Sequence, residues 1–132
     1  MKTSKLFLLF AALFGLLAVI IGAFGAHVLE KNLSAQLLQR LHTGVEYQFY
    51  HTAALLSVGI LSSLHRNYAS KLLKLSGFSF ILGILLFCGS LYAYALTGET
   101  KFGMVTPFGG VGFILGWLFL LGYTLAKKKQ SE

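Results

Sequence analysis

The amino-acid sequence predicts an all-α membrane protein, built as an antiparallel bundle of four transmembrane helices. The first observation is four apolar stretches, each near the roughly 20 residues that a helix needs to cross a hydrocarbon core. The second is composition, because the chain is 56% hydrophobic and 11% charged, whereas soluble domains are about 25% charged. The third is that the connections are short, which makes consecutive helices antiparallel neighbours. The stretches cover residues 6–26, 44–64, 75–96 and 107–126.

The chain length and charge fit one integral membrane domain, residues 1–132, with little left for a water-soluble unit. The net charge of +7 does not indicate a nucleic-acid partner, because the lysines and arginines lie at the ends of the apolar stretches rather than in a basic tract. The single cysteine, Cys88, lies inside the third stretch and fits a small apolar filler. The lipid bilayer is therefore the first partner that the sequence predicts.

The distribution of basic residues predicts the orientation in the membrane. Eight lysines and arginines lie on the side of the two termini and the connection between the second and third stretches, against three on the other side. Cytoplasmic ends of membrane helices carry an excess of Lys and Arg, so both termini are predicted to be cytoplasmic. Lys2 and Lys5 before an apolar run also fit a signal peptide. Because that run is long and further membrane helices follow it, we predict a retained first span.

Leucines recur every four residues in the first connection, which predicts a short amphipathic helix at the outer interface. They are Leu29, Leu33, Leu37 and Leu41. Asn32 or Ser34 would cap this helix, and it could run without a break into the second span. At the fourth span, Thr106 is typical of an N-cap and Pro107 of a first helical residue, so we predict that the helix begins there.

Small residues predict where the helices pack closely, because close backbone approach is what gains dispersion energy over lipid tails. The first stretch has them at alternating spacings of four and three, which forms one continuous seam along the helix. The fourth stretch has a second group on one face. The two predicted packing sets are Ala11, Gly15, Ala18, Gly22 and Gly25 in the first, and Gly109, Gly112 and Gly116 in the fourth.

The second stretch is unusual because it holds Glu46, Gln48 and His51, whereas the first and third stretches hold no charged residue. With the span centred on Ala54, Glu46 lies about 12 Å and His51 about 4.5 Å from the middle of the membrane. Gln48 and His51 share one side of the helix, and a polar stripe occupies another. Ionisable groups in a membrane usually face protein, so we expect the stripe to be covered. The stripe consists of Gln39, His42, Glu46, Tyr50, Ala53 and Ser57.

Polar residues of all four stretches are predicted to converge at the outer end. His27 ends the first stretch, Tyr92 lies in the last turns of the third, and Thr106 opens the fourth, next to Gln48 and His51 of the second. Such a site could hold an anion, a lipid headgroup, or a metal between His27, His42 and Glu46. No metalloprotease, P-loop or nucleophile-elbow motif is present, so the sequence favours a protein that is not an enzyme and names no cofactor.

Several motifs occur in order along the chain. They are GAFGAH at 22–27, TGVEYQFYH at 43–51, GSLY at 89–92, TPFGG at 106–110 and GW at 116–117. With these motifs the chain resembles the YgdD/YwdK family of small bacterial inner-membrane proteins, filed as domain of unknown function 423. The resemblance implies a four-span protein of the bacterial inner membrane without naming an activity. It places the family's signature on His27, Tyr47, Gln48, His51, Tyr92, Thr106 and Pro107. Glu46 stands where we expect a basic residue, which weakens a metal or acid–base role for it.

Three hypotheses of function follow from these observations. The first is a binding or interaction module that recognises a lipid, a small ligand or another membrane protein. The second is a small transporter or channel subunit, which would have to be a homodimer because four spans are few for alternating access. The third is a membrane-embedded metal site or enzyme. We favour the first, and its candidate ligand-binding residues are His27, Tyr47, Gln48, His51, Tyr92 and Thr106.

Overall fold

The computed structural model describes residues 1–65 and 70–127, and within them every regular element is helical. Four long helices account for most of this part of the chain. Arg66, Lys128 and Lys129, which contribute to the charge count that predicts the orientation, lie outside the described residues. The predicted all-helical fold class is confirmed at this level.

Two of the four helices contain a π-helical segment. Helix α1 consists of Thr3–Val19, a π segment Ile20–Gly25 and Ala26–Leu29. Helix α2 is Ala35–Leu64, and helix α3 consists of Ser70–Gly83, a π segment Ile84–Cys88 and Gly89–Thr97. A 3₁₀ turn, Thr100–Met104, leads into helix α4, Thr106–Lys127.

The first connection does not form the separate interfacial helix that we predicted, because residues 35–43 are the first turns of α2. Ser34 starts this helix, and its Oγ accepts a hydrogen bond from the Leu37 N–H at 3.2 Å. No glycine or proline stands between Ala35 and Thr43 to interrupt the helix. Leu41 is buried against Ala26 and Ala95, so the amphipathic repeat packs on protein.

The connection between α3 and α4 uses one glycine that requires its own backbone freedom. Gly98 has φ of 72°, and its N–H donates to the Tyr94 carbonyl at 2.8 Å, which ends α3. Helix α4 begins at Thr106, one residue before the predicted first helical residue Pro107, so Thr106 is the first residue of the helix rather than its N-cap. The Thr106 side chain bonds outside its own helix, since its Oγ1 lies 2.6 Å from the Ser90 Oγ.

Contacts between the helices show that α1 and α2 are antiparallel over most of their length. A Cβ added at Gly59 would meet Leu8, one at Gly15 would meet Thr52, and one at Gly22 would meet Val45. The residue numbers therefore rise along one helix as they fall along the other.

The other contacts complete an arrangement in which each helix runs opposite to the one before it. Helices α3 and α4 are antiparallel, because Gly83 lies against residues 109–113 and Phe80 against Gly116. The Tyr92 ring lies against Gly44, and the Phe80 ring lies 5.9 Å from the His51 ring, so α2 and α3 run in opposite directions. Helices α2 and α3 form the centre, with α1 packed mainly on α2 and α4 mainly on α3.

The largest buried cluster lies where the four helices meet. Its members include Phe7, Phe14, Leu55, Val58, Leu73, Phe80, Ile84 and Phe113. In the described part of the chain, three helical stretches are long and apolar enough to cross a membrane: Thr3–Leu29, Lys71–Thr97 and Thr100–Ala126. Helix α2 has 30 residues but is less apolar, because its first half carries the polar residues discussed above.

Candidate functional site

Gln48 is the polar residue that joins three helices. Its side chain is 3% exposed, and its Nε2 donates to the Phe14 carbonyl of α1 at 2.7 Å. The Tyr92 hydroxyl of α3 donates to the Gln48 Oε1 at 2.6 Å. An amide can make up to four hydrogen bonds, so Gln48 keeps one donor and one acceptor position beyond these two bonds.

An apolar groove of about 170 Å³ lies beside this network, between α1 and α3. Gln48 and Tyr92 supply its polar groups, and the π segment Ile84–Cys88 supplies part of its wall. Helix α1 adds Ile21, from its own π segment, so both irregular turns border the groove. A Cβ added at Gly89 would meet no atom within 4 Å, because this glycine opens onto the groove. The remaining lining residues are Phe14 and Leu17.

Tyr47 and His51 lie together on the other side of α2, facing α4. The His51 Nδ1 is 2.7 Å from the Tyr47 carbonyl, and since a carbonyl only accepts, Nδ1 carries the proton and donates. The imidazole stacks on the Phe113 ring, with centroids 3.5 Å apart and planes 9° apart. The Tyr47 ring lies 4.7 Å from the Phe87 ring. This is an aromatic packing cluster that contains one polar ring.

The predicted single cluster at the outer end is therefore divided among several places. Gln48 and Tyr92 bond to each other, Tyr47 and His51 lie on the opposite side of α2, and Thr106 bonds Ser90. His27 is exposed near the end of α1. Of the candidate ligand-binding residues, Gln48 and Tyr92 line one cavity together.

The depth of these residues also differs from the sequence estimate. Thr52 lies against Gly15, so His51 is level with Leu16, the middle residue of Thr3–Leu29. The centre of the bundle is thus near His51 rather than Ala54. Glu46 is five residues from that level, or about 7.5 Å, instead of about 12 Å.

The polar stripe of α2 is the clearest disagreement between prediction and structure. Its six members, which we expected to face protein, are all exposed in the isolated chain, and Tyr50 is 58% exposed. Helices α1 and α3 occupy the other sides of α2, where Leu41, Val45, Leu55 and Val58 are buried. Helical periodicity identifies a shared face, but it does not distinguish a face covered by the same chain from one left open.

The small residues predicted to pack lie between helices of the same chain, with one exception. In α1, Ala11 and Ala18 are buried, and a Cβ at Gly22 would lie 2.9 Å from a Val45 methyl group. A Cβ at Gly25 would meet only atoms of its own helix. In α4, an added Cβ at Gly109 would lie 2.6 Å from the Phe87 Cα, and Gly112 and Gly116 approach α3 similarly.

The candidate metal ligands His27, His42 and Glu46 do not form a site in this structure. Within residues 1–65 and 70–127, no three His, Cys, Asp or Glu side chains are grouped so that they could hold a metal ion. His42 and Glu46 are both exposed on the stripe, one helical turn apart.

Three features were missed by the sequence reasoning. Ser76 is fully buried, and its hydroxyl donates to the Gly116 carbonyl at 2.8 Å, which ties α3 to α4. The Arg40 guanidinium lies 4.1 Å from the centre of the Tyr94 ring. The two π segments have no sequence pattern of their own, although glycines occur within or next to both.

Long apolar helices packed through small residues define this chain as an integral membrane protein of the helical class. The family model described as "Protein of unknown function (DUF423)" matches residues 21–110, and the chain belongs to that family. The resemblance found in the sequence motifs is thereby confirmed.

Similar proteins come from several bacteria. The chain is 43% identical over 128 residues to the UPF0382 inner membrane protein YgdD of Escherichia coli K12, covering 96% of this chain and 95% of the relative. It is 40% identical over 117 residues to the UPF0382 membrane protein YwdK of Bacillus subtilis, covering 89% and 94%. A UPF0382 membrane protein of Haemophilus influenzae is 45% identical over 114 residues, covering 86% and 89%. No solved structure matches this chain.

Proposed function

We propose that the chain is a single integral domain of the bacterial inner membrane, with four spans and both termini in the cytoplasm. The fourth span of this proposal is α2. Its support is the antiparallel register with α1, the most apolar of the three candidate spans: Gly59 lies beside Leu8 and Val45 beside Gly22, so α2 covers the same depth. A helix paired in this way crosses the bilayer with its partner although it is less apolar.

Cysteine labelling tests this topology. In a Cys88→Ala background, Thr100→Cys should react with a membrane-impermeant maleimide added to intact cells, while Lys71→Cys should react only after the cells are opened. Thr100, just past the end of α3, and Lys71, at its start, are both exposed, so the two cysteines should be equally accessible to a reagent in water. The reverse labelling pattern would refute the proposed orientation. If both cysteines reacted from outside, positions 71 and 100 would lie on the same side, and an odd number of membrane crossings between them would be refuted.

We further propose that the protein is a binding module for an amphipathic, lipid-like molecule that enters sideways from the bilayer. The observation that carries this function is the α1–α3 groove, whose lining is almost wholly apolar except for Gln48 and Tyr92. Ligand sites typically combine an apolar lining with a few fixed polar groups. π-helical turns are frequent at functional sites, and both of those found within residues 1–65 and 70–127 border the groove.

A variant that fills the groove tests the binding function. Gly89→Leu adds a side chain where the structure has open space, so the helices need not move. Native mass spectrometry of the gently extracted protein should find a bound mass in the unchanged chain and lose it in Gly89→Leu. Gly110→Leu is the matched control, because a Cβ there would only touch Phe87 at 4.0 Å, outside the groove. Equal occupancy in both variants, or no bound mass in the unchanged chain, would refute the function.

A dimeric transporter or channel subunit is the second candidate, and the exposed stripe of α2 favours it. Glu46 is about 7.5 Å from the middle of the bundle, where a charged side chain facing lipid is costly. Two copies inserted in the same direction would bring their α2 stripes together at the same depth. His42 of one copy could then pair with Glu46 of the other, which a two-fold axis repeats.

Cross-linking distinguishes a dimer formed through this stripe. In the Cys88→Ala background, Tyr50→Cys should give a disulfide-linked dimer in native membranes, whereas Leu118→Cys should not. Leu118 is similarly exposed, at 54%, but lies on α4. A monomer in both variants, with a monomer mass from native lipid, would remove this candidate.

A further inference from the structure

A basic cavity lies at the predicted cytoplasmic end, where the start of α1, the end of α2 and the first turns of α3 meet. It measures about 320 Å³, and Lys2 and Lys74 line it together with His65. Hydroxyl groups of Thr3, Ser4 and Ser62 add to its polar lining. The Ser62 Oγ is buried and has no hydrogen-bond partner within the described part of the chain. Among the lining residues that fall within the described ranges, none is acidic.

The cavity and the α1–α3 groove lie along one seam between the same two helices. On α3, Lys74 lines the cavity, Leu85 and Gly89 line the groove, and Phe78 lies between them. These residues are four, seven and four positions apart, which puts them on one face of the helix. On α1, Thr3 lines the cavity and Leu17 the groove.

The middle of the seam is an apolar surface. The Phe78 ring packs edge-on against Phe7 with centroids 5.1 Å apart, and Phe78 is 45% exposed. Phe10, one helical turn after Phe7, is partly buried against the same core. A chain lying along the seam would therefore cross aromatic rings between the cavity and the groove.

The distance along α3 from the cavity to the groove equals half of the thickness of the hydrocarbon core of a bilayer. From Lys74 to Ile84 is ten residues, or about 15 Å at the helical rise, and half of a ~30 Å hydrocarbon core is the same length. An acyl chain whose headgroup is level with Lys74 would thus end level with Ile84, where the groove begins.

We propose that the cavity binds the phosphate of an anionic phospholipid from the cytoplasmic leaflet, and that one acyl chain of this lipid follows the seam to the near end of the groove, beside Ile84 and Leu85. The inference rests on the binding function proposed above and names its ligand class. Lysine ammonium groups and hydroxyls are suitable phosphate partners. Basic pockets between membrane helices on this side of a membrane recognise acidic headgroups. The buried Ser62 hydroxyl gains a partner when the phosphate is bound.

The experiment measures lipid preference rather than activity. The purified full-length chain is reconstituted in vesicles of equimolar phosphatidylglycerol and phosphatidylcholine, and native mass spectrometry counts each bound lipid. The unchanged chain should retain phosphatidylglycerol preferentially. Replacing both cavity lysines, Lys2→Gln with Lys74→Gln, should reduce that preference by roughly thirtyfold, since each lysine near a headgroup contributes about a fivefold step. Lys5→Gln is the control, because Lys5 is exposed on the same segment and does not line the cavity.

The outcomes separate the headgroup proposal from the binding function itself. If Gly89→Leu lowers retention of both lipids while the double lysine variant lowers only phosphatidylglycerol, both ideas stand. If the lysine variant keeps its preference, the headgroup site is wrong although the groove survives. If Gly89→Leu changes nothing, the groove function fails. If millimolar inorganic phosphate displaces phosphatidylglycerol and itself binds through the lysines, the cavity is a free-anion site and the lipid proposal is overturned.

Discussion

Adding one methyl group at Gly109 should separate α3 from α4, whereas the same change at Gly110 should not. The added Cβ of Gly109→Ala would lie 2.6 Å from the Phe87 Cα. Ordinary carbon–carbon contacts are near 3.5–4.0 Å, so the two backbones must move apart by about 1 Å. The contacting atom is backbone, and no side-chain rotation relieves the clash.

The size of the effect follows from this displacement. A gap of up to 1 Å loses about a quarter to a half of the dispersion energy of the atoms beside it, and the tight contacts at Gly112 and Gly116 belong to the same α3–α4 interface. Overpacking of this kind typically costs about 1–3 kcal/mol. In Gly110→Ala the new Cβ meets only Phe87 at 4.0 Å. That variant should be neutral, or more stable by up to about 1 kcal/mol from helix propensity.

The assay is reversible unfolding in mixed micelles with increasing sodium dodecyl sulfate, followed by the fluorescence of Trp117. Trp117 is a suitable reporter because it packs on Phe80 of α3, with ring centroids 5.3 Å apart. We expect the free energy of unfolding of Gly109→Ala to be about 1–3 kcal/mol below that of Gly110→Ala, because the gain in helix propensity is common to both variants. Equal stability of the two variants would refute the α3–α4 register and the reasoning from close backbone approach.

Two further predictions concern the polar residues inside the bundle, and one concerns the cysteine. A double-mutant cycle of Gln48→Leu and Tyr92→Phe should give a coupling energy of about 0.6 kcal/mol and no more than about 1.7 kcal/mol, as for other hydrogen bonds between membrane helices; a coupling of zero would contradict the 2.6 Å bond. His51→Phe should keep most of the stability lost in His51→Ala, because a phenyl ring preserves the stacking on Phe113; equal losses in a melting experiment would show that the imidazole has a polar role. Cys88 is 1% exposed, so a maleimide should react with it only on unfolding, and rapid labelling of the folded protein would show that the α1–α3 seam opens.

Much of the fold could be predicted from the sequence because membrane helices are specified by local composition. The four helices correspond to the four apolar stretches, and the Ser34 cap and the start of α4 within one residue of Pro107 follow from local backbone chemistry. The second helix does have protein on two sides, from α1 and α3, although its polar stripe, which was expected to be covered, is exposed. Apolar length does not reveal how far a helix extends before its apolar stretch, so the sequence left open whether residues 35–43 form a separate element or the first turns of α2.

The candidate site was less predictable because it depends on which side chains meet. Gln48 and His51 are three residues apart and were expected to share a side, yet one bonds Tyr92 and the other stacks on Phe113. The Gln48 amide and the His51 ring reach partners on different helices, and sequence spacing alone does not specify which helix each side chain meets. The groove depends on the path of the backbone through Ile84–Cys88, where a π-helical turn replaces an α-helical one. No local residue preference distinguishes those two turns.

The pairing of α2 with α1 also has a consequence for how the chain enters the membrane during synthesis. Taken alone, α2 carries too many polar groups to partition readily from the insertion machinery into lipid, whereas α1 does so easily. Only five residues separate the two helices, and the Gln48 amide finds its acceptor on α1. We therefore expect them to insert as one hairpin, so that α1 acts as an intramolecular chaperone for the helix that follows it. A chain whose first helix is exchanged for polyleucine, which keeps the hydrophobicity but loses the fitted surface, should leave α2 outside the bilayer and be degraded.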